Sequence, residues 1–107
     1  MSLNPLIIST LKHIGVPVAP LNYDGKADTY ITFFEFNQKG HVVADDEEQK
    51  TRHSIQVDIW TKYDYTILTK QVKDALKAIG FVRSMETEMY ENDTQTYHKV
   101  LRFNYVN

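Results

Sequence analysis

HSIQVDIWT, residues 53–61, alternates without interruption. Ile55, Val57 and Ile59 fall on one face, while Ser54, Gln56, Asp58 and Trp60 fall on the other. A strand of this kind is half-buried, so something must cover its aliphatic face. Upstream, TYITFFEFN (29–37) is dense in aromatic and β-branched residues and reads as a partner strand, antiparallel to the first. It is bulky on both faces, with Ile31 and Phe33 on one side and Tyr30, Phe34 and Phe36 on the other. Downstream, Asp64 caps a helix whose Leu68, Val72, Leu76 and Ile79 form one apolar stripe, stopped by Gly80, with Lys70, Lys73 and Lys77 opposite. Residues 81–90 and 97–105 alternate as two more strands, joined by a turn at Glu91, Asn92 and Asp93.

The flanks complete the order. Asn4 and Pro5 start a first helix in which Ile7, Leu11 and Ile14 recur on one side until Gly15 and Pro17 stop it. Residues 16–28, with two prolines and Asp24-Gly25, read as a connection and not an element. Residues 38–52 (QKGHVVADDEEQKTR) are long and polar for a connection and read as a loop or a protruding hairpin arm. Within it, 40–50 carries too little apolar surface to bury and is expected to be poorly ordered or to project in an isolated subunit. The expected fold is a single α+β domain spanning 1–107, a two-layer sandwich of order α-β-β-α-β-β. A mainly antiparallel four-stranded sheet carries two helices on one face, because each helix has a single apolar stripe to cover. Its expected core is Ile55, Val57, Ile59, Leu68, Val72, Leu76, Ile79, Leu101 and Phe103.

Composition sets limits on function. The chain of 107 residues is 42% apolar and carries 12 Lys+Arg against 14 Asp+Glu, so bulk positive charge does not hold it to nucleic acid. Without cysteine it has no disulfide, thiolate nucleophile or thiolate-bound zinc. The N-terminal MSLNPLIISTLKHIG reads as neither signal peptide nor membrane span. His13, His41, His53 and His98 form no HxxxH or HExxH pair, and the acidic run Asp45–Glu48 lacks the spacing and glycine of a calcium loop. There is no GxSxG, Walker or GxGxxG sequence. Glu86 and Glu88 share a strand face at period two, as expected of an exposed strand. The sequence therefore offers no catalytic, cofactor-binding or metal residues, and the chain is expected not to be an enzyme.

Aromatic content is more informative. Five Phe, seven Tyr and one Trp exceed what a sheet with one buried face needs. Tyr30, Phe34, Phe36 and Trp60 are the candidate assembly surface on the face away from the helices. Val42, Val43, Asp45, Asp46, Glu47 and Glu48 are candidate arm contacts. An alternative of another class is a small regulatory or nucleic-acid-binding module using the same sheet face and the lysines of the second helix.

The element order, the segment YDGKADTYITF (23–33), the segment QVDIWTKYDY (56–65) and the VKDALKAIGF helix together resemble the small tail-terminator, or tail-completion, proteins of long-tailed bacteriophages and prophages. The resemblance spans nearly the whole chain. It implies a virion structural protein that forms a ring, commonly a hexamer, which caps the tail tube and docks to the head connector. Implied partners are further copies of itself, the tail-tube protein and the connector protein, with DNA at most passing through the ring and no membrane. The implied location is the virion tail or head-tail junction, after assembly in the bacterial cytoplasm. An acidic arm lining the channel would repel passing phosphate.

Overall fold

The computed structural model describes residues 2–42 and 49–107, with 38–42 and 49 described through their backbone alone. Helix α1 (Asn4–Leu11) is followed by a 3₁₀ turn over Lys12–Ile14, strand β1 (Val18–Pro20), strand β2 (Tyr30–Val42) and strand β3 (Gln49–Thr61). Helix α2 (Thr66–Ala78) and strands β4 (Val82–Glu91) and β5 (Thr96–Val106) complete the chain. The α+β class is as the sequence implies, with two corrections. The sheet has five strands and not four, in the order β1-β2-β3-β5-β4, and the chain order is α-β-β-β-α-β-β.

The extra strand is β1, inside the segment read as a connection. Its prolines argue against a strand only if their missing N–H groups face the neighbour. The nitrogen of Pro20 faces away, and Pro17 precedes the first rung: β1 is an edge, parallel to β2, and its ladder uses the carbonyl of Pro17 and the amide of Leu21, bonded to Ile31 and Phe33 at 2.8 and 2.9 Å. The prolines sit at positions that donate nothing to β2. Leu21 then adopts φ 66°, which ends the strand.

The β2–β3 ladder also runs further than the sequence suggests. Pairing continues past the apolar stretches through Gln38↔His53 to Val42↔Gln49, so of the two alternatives read for this segment, loop or hairpin arm, residues 38–42 and 49–52 form the paired strands of an arm. On the other side of β3, pairing with β5 stops at Arg52↔Val106, with the Asn107 backbone bonded to Thr51 beyond it. The last rungs are thus a two-stranded ribbon extending past the sheet. Val43, Asp45, Asp46, Glu47 and Glu48 lie outside the described residues, as does the side chain of Val42.

Both helices pack on one face of the sheet. Ile7 and Leu11 of α1 and Val72 and Leu76 of α2 join Ile31, Phe33, Ile55, Val57, Ile59, Leu101 and Phe103 in one buried cluster. Leu68 and Ile79, expected in the core, border it and are partly buried, while Phe81 fills the gap between α2 and β5, stacked on Tyr105 at 4.5 Å. Helix starts are displaced slightly from the sequence reading. Asn4 and Pro5 lie inside α1, whose N-cap position is Leu3. Asp64 caps α2 from one residue before the cap position, accepting from the Thr66 amide at 2.9 Å.

Candidate assembly face

The sheet face away from the helices carries a continuous belt of rings. Period-two alternation points Tyr30, Thr32 and Phe34 of β2, Gln56, Asp58 and Trp60 of β3, and His98, Val100 and Arg102 of β5 to this side. Register then sets the neighbours: Tyr30 opposes Trp60, and Trp60 opposes His98. Their rings stack in sequence, Tyr30 on Trp60 with centroids 6.1 Å apart and Trp60 on His98 at 3.7 Å. Tyr23, from the loop after β1, extends the row by stacking on Tyr30 at 4.5 Å. Trp60 donates its indole N–H to Thr32 at 3.0 Å, which fixes the ring across the strands.

A polar network continues the belt along the strands. His98 Nε2 lies 2.7 Å from Asp58 Oδ1, and the Gln56 amide donates to the same oxygen at 2.9 Å. Arg102 donates to Gln56 at 3.0 Å and lays its guanidinium 4.6 Å over the Phe36 ring. Asp58 is 4% exposed although no helix covers it, because these neighbours enclose it. Phe36 occupies a β-bulge between Glu35 and Asn37 and remains 43% exposed. Met89, beside His98 on β4, is 49% exposed.

The structure therefore places Tyr30, Phe34, Phe36 and Trp60 on one face. Sequence reading missed Tyr23, His98, Asp58, Gln56 and Arg102 as their companions. The alternation of 97–105 put His98 and Arg102 opposite Leu101 and Phe103, but nothing in one strand's pattern reveals which residue of β3 each one meets.

Two other histidine and carboxylate groupings lie elsewhere. His53 is 2% exposed at the base of the ribbon, its Nδ1 donating to Glu35 at 2.6 Å and its Nε2 3.1 Å from the Asn107 side-chain oxygen. Glu86 does not sit on an exposed strand face. It points to the helix side, where Lys73, Arg83 and Lys99 approach its carboxylate at 3.2, 3.3 and 3.1 Å. Burial alone would raise its pKa, yet the hydrogen bonds from Lys99 and Lys73 outweigh burial and hold it below the usual carboxylate range. Lys70 is likewise occupied, with Asp74 at 2.7 Å. Among the described residues no group of three or more His, Asp or Glu is placed to hold a metal ion, and no helix is long and apolar enough to cross a membrane.

Solved structures share this fold. Gp17 of bacteriophage SPP1 superposes with a TM-score of 0.56 at 14% identity, over 94% of this chain and 86% of that one. The two chains share a fold. A chain from the virion of a native gene transfer agent particle superposes with a TM-score of 0.58 at 12% identity, over 94% of this chain and 83% of that one. No family profile and no curated protein matches the sequence. The segments 23–33 and 56–65, which carry the sequence resemblance, contribute Tyr23, Tyr30, Asp58 and Trp60 to the belt.

Proposed function

We propose that this chain is a phage or prophage virion protein, a non-enzymatic tail terminator that assembles into a ring, caps the tail tube and docks to the head connector. The observation that carries the reading is the belt from Tyr23 to His98 with Phe36 beside it. This is an aromatic surface on the face the helices leave open, in a fold shared with a bacteriophage protein and a chain of a gene transfer agent virion. Aromatic residues and Arg dominate the energetics of protein contacts, and a rigid stacked row loses little side-chain entropy when covered.

The two sheet edges support a head-to-tail ring over a two-fold dimer. β1 offers three residues and two nearby prolines, whereas β4 offers ten residues with one side of its backbone unpaired. Unlike edges on one subunit suit a heterologous contact, which closes into a ring when the rotation allows. Of the three lysines behind the nucleic-acid reading, Lys70 and Lys73 are engaged by Asp74 and Glu86, which leaves that reading with Lys77 alone.

Electron microscopy of the protein mixed with tail tubes tests the proposal, together with particles assembled without it. Capped tubes of uniform length are expected with the protein, and overlong tubes without heads in its absence. Tubes of normal length joined to heads without it would sink the reading.

A further inference from the structure

Between the end of α2 and the start of β4 lies a groove of about 380 Å³. Phe81, Val82 and Phe103 line it beside Lys73, Lys77 and Arg83, and because the two rings are nearly buried, the exposed Val82 supplies its open apolar wall. Only Asp74 among its lining residues is acidic, and that carboxylate is held by Lys70. Lys73 and Arg83 share the single Glu86 carboxylate with Lys99, and among the described residues Lys77 makes no ion pair. The groove is therefore an apolar slot with surplus positive charge at its rim. The opposite charge is concentrated elsewhere in the chain. Four of the 14 acidic residues are Asp45, Asp46, Glu47 and Glu48, so the rest of the chain carries 12 Lys+Arg against ten acids. Val42, Val43 and Ala44 immediately precede this run. An aliphatic triplet followed by four carboxylates is what a slot with an apolar wall and a cationic rim would take.

We infer that the groove receives residues 42–48 of a second copy of this chain, so that each subunit's ribbon clamps the next subunit of the ring. This rests on the ring reading above and specifies one of its joints. Geometry favours the neighbour over the subunit's own groove. The groove lies level with the row Ser54, Asn104 and Val82, whereas the ribbon continues five rungs further, to Val42↔Gln49. At about 3.3 Å per residue, those rungs carry Val42 and Gln49, which flank the acidic run in sequence, ~16 Å beyond that row. Reaching its own groove would require breaking the ladder. The subunit is 52 Å long and only 24 Å and 23 Å across, so a ribbon along its length has the reach to cross an adjacent body. A two-stranded ribbon is marginal by itself and gains stability from being covered.

A charge swap separates this joint from the ring as a whole. In one variant Asp45, Asp46, Glu47 and Glu48 become Lys, in another Lys77→Glu is combined with Arg83→Glu, and a third carries both sets. Lys77→Glu alone guards against misfolding, since that residue is exposed and outside the core. Self-association is followed by sedimentation velocity at low salt, with and without tail tubes. Either reversal should weaken association at least about tenfold, and the combination should restore it to within about threefold of wild type. If wild type forms rings and both reversals leave them unchanged, the clamp is wrong and the ring reading stands. If wild type remains monomeric even on tail tubes, the ring reading fails and the clamp with it. Duplex DNA binding lost in Lys77→Glu while rings persist would make the groove a phosphate site and overturn the clamp.

Discussion

Gly25 is required by a neighbour and not by its own backbone angles. A Cβ at this position would lie 2.1 Å from the Tyr23 hydroxyl, because the 23–28 loop folds tightly around that ring and the Ala27 amide donates to the same hydroxyl at 3.2 Å. Tyr23 in turn stacks on Tyr30, so one missing methyl group lets the belt begin in the loop. Gly25→Ala should push Tyr23 off Tyr30 and shift their ring-proton resonances, with global stability changed by about 1 kcal/mol or less. Unmoved Tyr30 resonances would show that the loop yields instead. Tyr65 gives a second test at this scale. A hydrogen bond to Glu88 pushes its phenol up to about 12, with burial adding in the same direction. The folded value lies above the ordinary 10.0, so this contribution to stability is intact below pH 10 and fades as the pH climbs through about 12. Spectrophotometric titration should show a late tyrosine transition that Tyr65→Phe removes and Glu88→Gln moves back toward pH 10.

At the scale of elements, α2 and the β4–β5 pair are joined by two kinds of contact. Leu76 is fully buried, and Leu76→Ala should cost about 2 to 5 kcal/mol in chemical denaturation. Glu86 ties α2 to both strands through Lys73, Arg83 and Lys99. Its folded pKa is depressed below the model-compound value of 4.5, so the stabilisation is present above that pH and is lost as the pH falls below it. Glu86→Gln should destabilise by about 1 to 3 kcal/mol at neutral pH, since it leaves the mostly buried Lys99 with only the more distant Glu88 carboxylate, 3.8 Å away, and the difference from wild type should shrink in acid. Equal stability of the two proteins at neutral pH would mean that solvent screens the cluster. These contacts also explain what was legible beforehand. β3 was plain from residues 53–61 because each aliphatic side chain in that run, Ile55, Val57 and Ile59, faces the core. β1 was hidden, since its prolines are tolerated only because Pro17 precedes the first rung and the nitrogen of Pro20 faces away from β2. The far rungs of β2 and β3 were hidden for a related reason: ladder hydrogen bonds pair backbone groups, and a polar run such as QKGH leaves no hydrophobic alternation to announce them.

For the whole molecule, the decisive distinction is between residues that hold the subunit together and residues that join it to others. Trp60 does both: it is wedged between Tyr30 and His98 and bonded to Thr32, so its truncation would disturb the subunit before any interface is tested. Phe36 is cleaner. It is 43% exposed, sits in a bulge outside the buried cluster, and its close partner on the face is the Arg102 guanidinium. Phe36→Ala should therefore leave the melting transition within the range of an ordinary surface change, about 0.5 kcal/mol. If the outer face is covered in the assembled ring or on the tube, the same substitution should behave as an interface hot spot and weaken assembly by about 2 kcal/mol, roughly thirtyfold. Tube-capping titrations with wild type and Phe36→Ala at matched folding stability measure that difference directly. A variant that caps tubes at wild-type concentrations would place the joint elsewhere, with the unpaired β4 edge as the next surface to probe. The two sites also differ in salt response: a Phe36 contact is apolar and should persist at high ionic strength, whereas the Lys77 and Arg83 groove should lose its acidic occupant as salt screens it.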